Sequence, residues 1–212
     1  AASDVYKRQD FLKIQTFGNL GGIPPLILED AKRYYQKIAA VRTFRGLNRE
    51  GIMAASVYIA ARTNNYPRSA KEIAVIFKLD QTSATRGCKN AINILNTLES
   101  QMSPQERTSL SRMTPINFVD RFCSGLNIKG QALSLVKFIV QRVEDQALIP
   151  ENTPNSIAAG AVWFVCVLLE LGILRKSVCE ITDISEVTIN KCFKKLMQHK
   201  LILVPSRFLP NN

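Results

Sequence analysis

The chain has 212 residues, enough for two domains of about 100 residues each. Hydrophobic residues make up 46% and charged residues 21%, the ordinary balance of a globular protein with ample material for two cores. The formal net charge of +11 points to a polyanion, an acidic protein face or an anionic membrane as partner.

Cysteine spacing and apolar runs exclude several classes. The five cysteines are odd in number and show no CxxC pair, so neither a disulfide framework nor a zinc ribbon is indicated, and we expect free buried thiols in a reducing compartment. No charged leader with a short apolar core begins the sequence, so we expect no secretion. The longest uncharged apolar run, residues 157–169, stops at Glu170, too short to span a bilayer.

One segment occurs twice. Residues 50–61 read EGIMAASVYIAA, and residues 155–166 read NSIAAGAVWFVC, so that Ile52 aligns with Ile157 and Tyr58 with Trp163 at a constant offset of 105 positions. Small residues occupy the middle of both copies, and apolar residues occupy every side. Because a helix that is apolar all round must be enclosed by other helices, each copy is predicted to be the central helix of its own domain, with Trp163 packed inside.

The first half is predicted to contain five helices. Residues 1–9 do not join the later periodicity, and we expect them to be a cloning or sequencing remnant or a disordered lead. Asn48 is predicted to cap the central helix and Ser69 the fourth. The expected helices span residues 11–17, 25–41, 49–62, 70–78 and 84–98.

The second half repeats this order after a polar link. Its predicted helices span residues 116–126, 131–146, 155–171, 175–181 and 185–199, and only LILV at residues 201–204 has a strand-like pattern. The predicted fold is therefore all-α, with two tandem five-helix domains. Their expected limits are residues 10–100 and 114–200, joined by a linker at residues 101–113 and followed by a tail at residues 201–212.

The fourth and fifth helices of each half have the spacing of a helix-turn-helix. In the second half the turn is TDIS, and Ser185 is predicted to cap the following helix. Val187 and Thr188 could touch a thymine methyl group, and Asn190 could pair with adenine. Alternatively, the lysines of this helix are simply solvated and complement its dipole. The candidate phosphate contacts are Lys191, Lys194, Lys195, His199 and Lys200.

The first half offers basic candidates. Arg42, Arg45 and Arg49 surround Gly46 in a segment that could follow a phosphate backbone or could be a solvated turn. Arg62 and Arg86 could meet an acidic partner or could be plain surface charges.

The sequence shows little evidence of a catalytic site. The only histidine, His199, lies on the lysine-rich last helix, and neither a GxxxxGK[ST] nor a GxGxxG motif occurs. We therefore expect no enzyme, no catalytic residue and no metal site.

Several motifs in order resemble the core of transcription factor IIB, including its archaeal relatives. The likeness spans about residues 11–197. Its motifs are RGLNREGIMAASVYIAAR at residues 45–62, PRSAKEI at 67–73, FVDRFCSGL at 118–126, SIAAGAVW at 156–163 and EVTI at 186–189.

The resemblance implies a tandem cyclin-like fold that grips the TATA-box-binding protein on bent promoter DNA and helps recruit RNA polymerase, with polymerase II expected. It implies that Arg62, Arg86 and Lys89 contact the TATA-box-binding protein. Arg45 and Gly46, with the neighbouring Arg49, would approach DNA downstream of the TATA element. The helix-turn-helix would read an upstream element through Val187, with Thr188, Asn190, Lys191, Lys194 and Lys195 alongside.

The chain departs from the family pattern at several positions. Asn190 stands where the eukaryotic family commonly has an arginine, Leu47 replaces an arginine, and ILRKSV replaces a lysine-glutamate-isoleucine motif. The family's N-terminal zinc ribbon has no counterpart here, so we expect no cofactor in this chain. The resemblance implies a nuclear location in a eukaryote, or a cytoplasmic one for an archaeon or a cytoplasmic virus.

Two alternatives share the five-helix repeat. A cyclin would be a kinase-activating scaffold indifferent to TATA DNA, and the related initiation factor of RNA polymerase III would use the same repeats. The basic last helix and PRSAKEI favour the promoter function over the cyclin. In no case is a membrane or a small-molecule substrate expected.

Overall fold

The structure is a computed structural model that describes residues 2–110 and 112–209. The chain divides into two compact units, Ala1–Arg112 and Met113–Asn212. Every secondary-structure element of the described residues is a helix, and each unit has five principal helices. The prediction of an all-α fold with two tandem helical domains is therefore confirmed.

The first unit follows the predicted order of helices. Its elements are α1 (Ala2–Leu20), α2 (Pro25–Ala39), α3 (Gly46–Thr63), α4 (Ala70–Ile76) and α5 (Gln81–Leu98).

Besides a 3-10 helix at Ser206–Phe208, the second unit has five matching helices and a short additional α-helix. They are α6 (Ile116–Gly125), α7 (Gly130–Asp145), α8 (Pro154–Leu168), α9 (Arg175–Thr182), α10 (Glu186–Gln198) and α11 (Lys200–Leu203). The strand suggested by the pattern of LILV at residues 201–204 is wrong, because α11 covers the first three of these residues. Leu203 and Val204 are buried in the core of the unit, so part of the expected tail packs as structure. Residues 210–212 of that tail lie outside the described residues.

Two local predictions for the first unit need correction. The helix expected at residues 11–17 is longer, because α1 already begins at Ala2 and so includes residues for which a disordered lead is one expectation. Asn48 does not cap α3, since Arg45 occupies the N-cap position and the helix starts at Gly46. The Ser69 cap is confirmed: its hydroxyl accepts from the Glu72 amide at 3.1 Å, and the Glu72 carboxylate accepts from the Ser69 amide at 2.7 Å.

A buried carboxylate ties the first three helices together. Asp10 of α1 is only 4% exposed, and its Oδ2 accepts from the Tyr35 hydroxyl at 2.5 Å and from Arg49 Nε at 2.9 Å. Burial, together with the bond to Asp10, raises the pKa of Tyr35 well above its ordinary value. Arg49 supplies the charge that a buried carboxylate requires, so this contact fixes α1 against α2 and α3.

The repeated segments are the buried centres of their units, as predicted. In α3 every residue from Gly51 to Ala61 is buried, and α8 is buried at almost every position from Ser156 to Cys166. Trp163 is the exception in α8, because it is only half-buried and its ring packs 6.5 Å from that of Phe193. The expected packing role for Trp163 agrees with this contact.

Small residues let the central helix touch the last long helix of each unit. A Cβ atom on Gly87 of α5 would lie 2.3 Å from the carbonyl oxygen of Gly51 in α3. In the second unit a Cβ atom on Gly160 of α8 would lie 2.5 Å from the Cys192 sulfur of α10. Both crossings are therefore closed to any larger side chain.

The cysteines match the expectation of free thiols. All five are unpaired, and four of them are buried while Cys179 is half-buried. Burial raises the pKa of Cys88, Cys123 and Cys192 to about 12, so these thiols stay protonated and inert at neutral pH.

The polar link after α5 folds back on the first unit through Glu99. This side chain is 4% exposed, and its carboxylate accepts from Lys37 Nζ at 2.8 Å and from the Thr108 amide at 2.6 Å. Burial opposes ionisation, but the bonds from Lys37 and Thr108 outweigh it and lower the pKa of Glu99. The beginning of the link is therefore attached to α2.

We predict that Gly87→Ala destabilises the first unit although alanine favours a helix more than glycine does. The new methyl group overlaps the Gly51 carbonyl, and overpacking of this kind costs about 1–3 kcal/mol. Urea unfolding followed by circular dichroism measures the change. Asn93→Ala, at an exposed position of the same helix, is the control and should be neutral or slightly stabilising. An unchanged midpoint for Gly87→Ala would contradict the close crossing.

Candidate nucleic-acid interface

The second unit contains the predicted helix-turn-helix, formed by α9, the turn at residues 183–185 and α10. Asp183 adopts the left-handed conformation with φ of 53°, which reverses the chain after α9. Ser185 then caps α10, since its hydroxyl accepts from the Thr188 amide at 3.2 Å. The predicted cap is confirmed, and it places the following residues on the first exposed turn of α10.

Helix α10 has an inner and an outer face. Ile189, Cys192 and Leu196 are fully buried against the unit's core, which fixes the rotation of the helix. Val187 is 62% exposed at its first turn, and Lys191 and Lys194 are exposed further along. Thr188 is half-buried, and its hydroxyl is bonded to that of Ser185 at 2.9 Å. The outer face thus offers an apolar contact followed by positive charge.

Asn190 has a partner that local spacing did not predict. Its Oδ1 accepts a hydrogen bond from Arg175 Nη1 at 3.0 Å, and Nη2 of the same guanidinium forms an ion pair with Glu186. Arg175 is the first residue of α9, fifteen positions before Asn190 in the chain. The structure therefore adds Arg175 to the residues at the start of α10.

Lys195 is already engaged within the unit. Its ammonium forms an ion pair with Glu151 and donates to Asn152 Oδ1 at 3.0 Å, both in the segment before α8. The hydrogen bond from Lys195 lowers the pKa of Glu151. Lys195 is thus placed to brace α10, whereas Lys191 and Lys194 are the exposed cations. His199 and Lys200, at the end of α10 and the start of α11, are half-buried.

The basic segment before α3 divides into outward and inward residues. Arg45 and Gly46 are exposed, and Gly46 has a φ of 53°, a conformation that favours glycine. The Arg42 guanidinium stacks over the Phe44 ring at 4.9 Å. Arg49 instead points inward to Asp10 and also donates to the carbonyl of Tyr6 at 3.3 Å. Of the predicted DNA contacts here, Arg45 and Gly46 are accessible, whereas Arg49 is engaged with Asp10 inside its own unit.

The three residues assigned to a protein partner lie on α3 and α5. Arg86 and Lys89 are exposed on one face of α5, where they border a shallow depression with Gln81, Thr82 and Thr85. Arg62, in the last turn of α3, is half-buried; its guanidinium lies 5.6 Å from the centre of the Tyr58 ring. Arg86 and Lys89 thus form an exposed basic pair, and Arg62 is partly committed to the packing of its own unit.

Other kinds of site find little support in the described residues. Within residues 2–110 and 112–209 no group of three or more His, Cys, Asp or Glu side chains is arranged to hold a metal ion. Among the same residues, none of the helices combines the length and apolar character that crossing a membrane requires.

Comparison with known proteins agrees with the two-unit architecture. The family model of the transcription factor TFIIB repeat matches residues 5–93 and again residues 108–199. The first match includes most of α1 and extends into α5, and the second includes all five principal helices of its unit.

Similar proteins come from a virus, archaea and an animal. A transcription initiation factor IIB-like protein of Acanthamoeba polyphaga mimivirus is 30% identical over 95% of this chain and 47% of its own length. Transcription initiation factor IIB of Methanocaldococcus jannaschii is 29% identical over 84% of the chain and 25% of its length. Transcription initiation factor IIB of Drosophila melanogaster is 23% identical over 93% of the chain and 59% of its length.

The chain thus spans only part of these relatives, from about a quarter to three fifths of their length. The family match, however, extends over both helical units and nearly all of the chain. With its two tandem TFIIB repeats, the chain belongs to the transcription factor IIB family.

Proposed function

We propose that this chain is the core of a general transcription initiation factor that binds the TATA-box-binding protein on promoter DNA and contacts the DNA on both sides of the TATA element. The observation that carries the proposal is the helix-turn-helix of the second unit. It has a capped recognition helix with Val187 exposed on its first turn and lysines along its outer face. In such motifs the first turn of the second helix faces base edges in the major groove.

Charge supports a nucleic-acid partner. The net charge of +11 is large, and Lys191 and Lys194 are exposed on the same helix that offers Val187. Contacts between lysines and phosphates release counterions, so the affinity for DNA falls as salt rises. In the first unit Arg45 and Gly46 would supply the contact on the other flank.

The basic pair Arg86 and Lys89 is the proposed contact with the TATA-box-binding protein. Both side chains are exposed on α5, whose other face is buried against α3 at the Gly51 and Gly87 crossing. Opposite charge on a partner would steer docking onto this rigid surface. Arg62, which its packing on Tyr58 leaves half-buried, is the third residue proposed for this contact.

Assembly of this kind would serve recruitment of RNA polymerase, with polymerase II as the proposed enzyme. The chain acts by binding rather than catalysis, in keeping with a family of transcription factors. The site of action is then the nucleus in a eukaryote, or the cytoplasm in an archaeon or a cytoplasmic virus.

We predict that Arg86→Glu weakens the complex of this chain with the TATA-box-binding protein on TATA DNA about ten-fold, because it places a negative charge against an acidic surface. A mobility-shift titration measures the affinity. Arg8→Glu, an equal change of charge at an exposed position of α1, is the matched control and should have little effect. Equal loss in both variants would mean that only the net charge matters, and would remove Arg86 from the interface.

We further predict that substitution of Arg45 weakens DNA binding, whereas substitution of Arg49 weakens the fold. Arg45→Ala should weaken the DNA complex and reduce the slope of log affinity against log salt by about one, since an exposed phosphate contact is lost. Arg49→Ala should instead lower the free energy of unfolding by about 2 kcal/mol, because buried Asp10 loses its cation. Salt-dependent binding and urea unfolding of both variants separate the roles. A stable Arg49→Ala protein with a reduced salt slope would show that Arg49 is a DNA contact after all.

A further inference from the structure

We propose that Arg175, although it belongs to α9, is a guanine-reading residue of this helix-turn-helix. The inference rests on the proposed binding to promoter DNA and adds to it a residue that sets base preference. The position of the guanidinium carries it: Arg175 lies against the first turn of α10, between Glu186 and Asn190.

Two contacts hold the guanidinium in a defined orientation. Nη1 donates to Asn190 Oδ1 at 3.0 Å, and Nη2 is paired with the Glu186 carboxylate. A long side chain fixed at two points loses less conformational freedom when it binds a third group. The arginine is therefore preorganised at the end of α10 that is expected to face the bases.

The fixed guanidinium still has donors to offer. It carries more N–H groups than these two contacts use, and the side chain is 40% exposed. The planar fork of arginine matches the O6 and N7 acceptors of guanine in the major groove, which is the commonest base-specific contact of a side chain with DNA.

The surroundings favour a base over a phosphate as the target. Glu186 is 58% exposed beside the guanidinium, and its carboxylate would repel a phosphate placed on the same side. The edge of a guanine carries no net charge, so the carboxylate repels it less than it repels a phosphate. Val187, exposed by 62% on the same turn, offers an apolar contact for a neighbouring thymine methyl group. The first turn of α10 would thus read a guanine through Arg175 and a thymine through Val187.

The experiment is a selection on duplex DNA. A TATA element is flanked upstream by randomised base pairs and is incubated with the TATA-box-binding protein and this chain. Bound DNA is then recovered and sequenced for the wild-type chain, Arg175→Lys, Glu186→Ala and Lys176→Gln. Arg175→Lys keeps the charge but loses the fork. Lys176 is the matched control, because it is adjacent in α9, 85% exposed and turned toward Glu180.

We expect the wild-type chain and Lys176→Gln to enrich guanine at one upstream position. Arg175→Lys should lose about ten-fold in the preference for guanine over the other bases at that position, with little change elsewhere. Glu186→Ala keeps the arginine and its bond to Asn190 but removes the second of its two contacts, so it should retain only part of the preference. Circular dichroism of each variant confirms that the unit remains folded.

Three results would overturn the inference. An unchanged guanine preference in Arg175→Lys would exclude Arg175 as a reader, and a uniform loss of affinity for all sequences would make it a phosphate contact. In both cases the chain still binds the assembly, so the proposed function stands. If the wild-type chain does not join the TATA-box-binding protein on DNA at all, the proposed function fails and this inference fails with it.

Discussion

The close crossing of two helices within each unit is the constraint on which the rest of the structure depends. Gly51 and Gly87 bring the backbones of α3 and α5 together, and Gly160 accepts the Cys192 side chain where α8 meets α10. These crossings hold the last long helix of each unit rigidly, with its apolar side buried. Its outer side is then free for charged groups: Arg86 and Lys89 on α5, and Lys191 on α10. A surface built in this way can bind a partner without ordering itself first.

The distribution of charge matters more than its total. The chain has 28 Lys and Arg against 17 Asp and Glu, but several of the cations that look available in the sequence are used internally. Arg49 neutralises the buried Asp10, Lys37 holds Glu99, and Lys195 is paired with Glu151. The exposed cations that we propose as contacts lie on α10, on α5 and before α3, while others, such as Arg8 and Lys176, are exposed elsewhere. This division separates substitutions that should weaken binding from those that should weaken the fold.

Much of the fold could be predicted from local patterns, because helical periodicity, caps and the duplicated segment each depend on residues that are close in sequence. Ser69 and Ser185 cap as their sequence contexts indicate, and the repeated helices are buried as their all-round apolarity requires. The contacts that the sequence did not predict share another cause. Arg49 with Asp10, Lys195 with Glu151 and Arg175 with Asn190 are pairs distant in sequence, and spacing along one helix carries no information about them. The start of α1 was missed for the same reason. The role of Asp10 becomes clear only from its contacts with α2 and α3, which are distant in sequence.

The central claim is that two helical units of this chain contact DNA on both sides of a TATA element occupied by the TATA-box-binding protein. Hydroxyl-radical footprinting tests it most directly, because it reports backbone protection at single-nucleotide resolution. The account predicts protection both upstream and downstream of the TATA element, appearing only when the TATA-box-binding protein and this chain are present together. A footprint identical to that of the TATA-box-binding protein alone would contradict it.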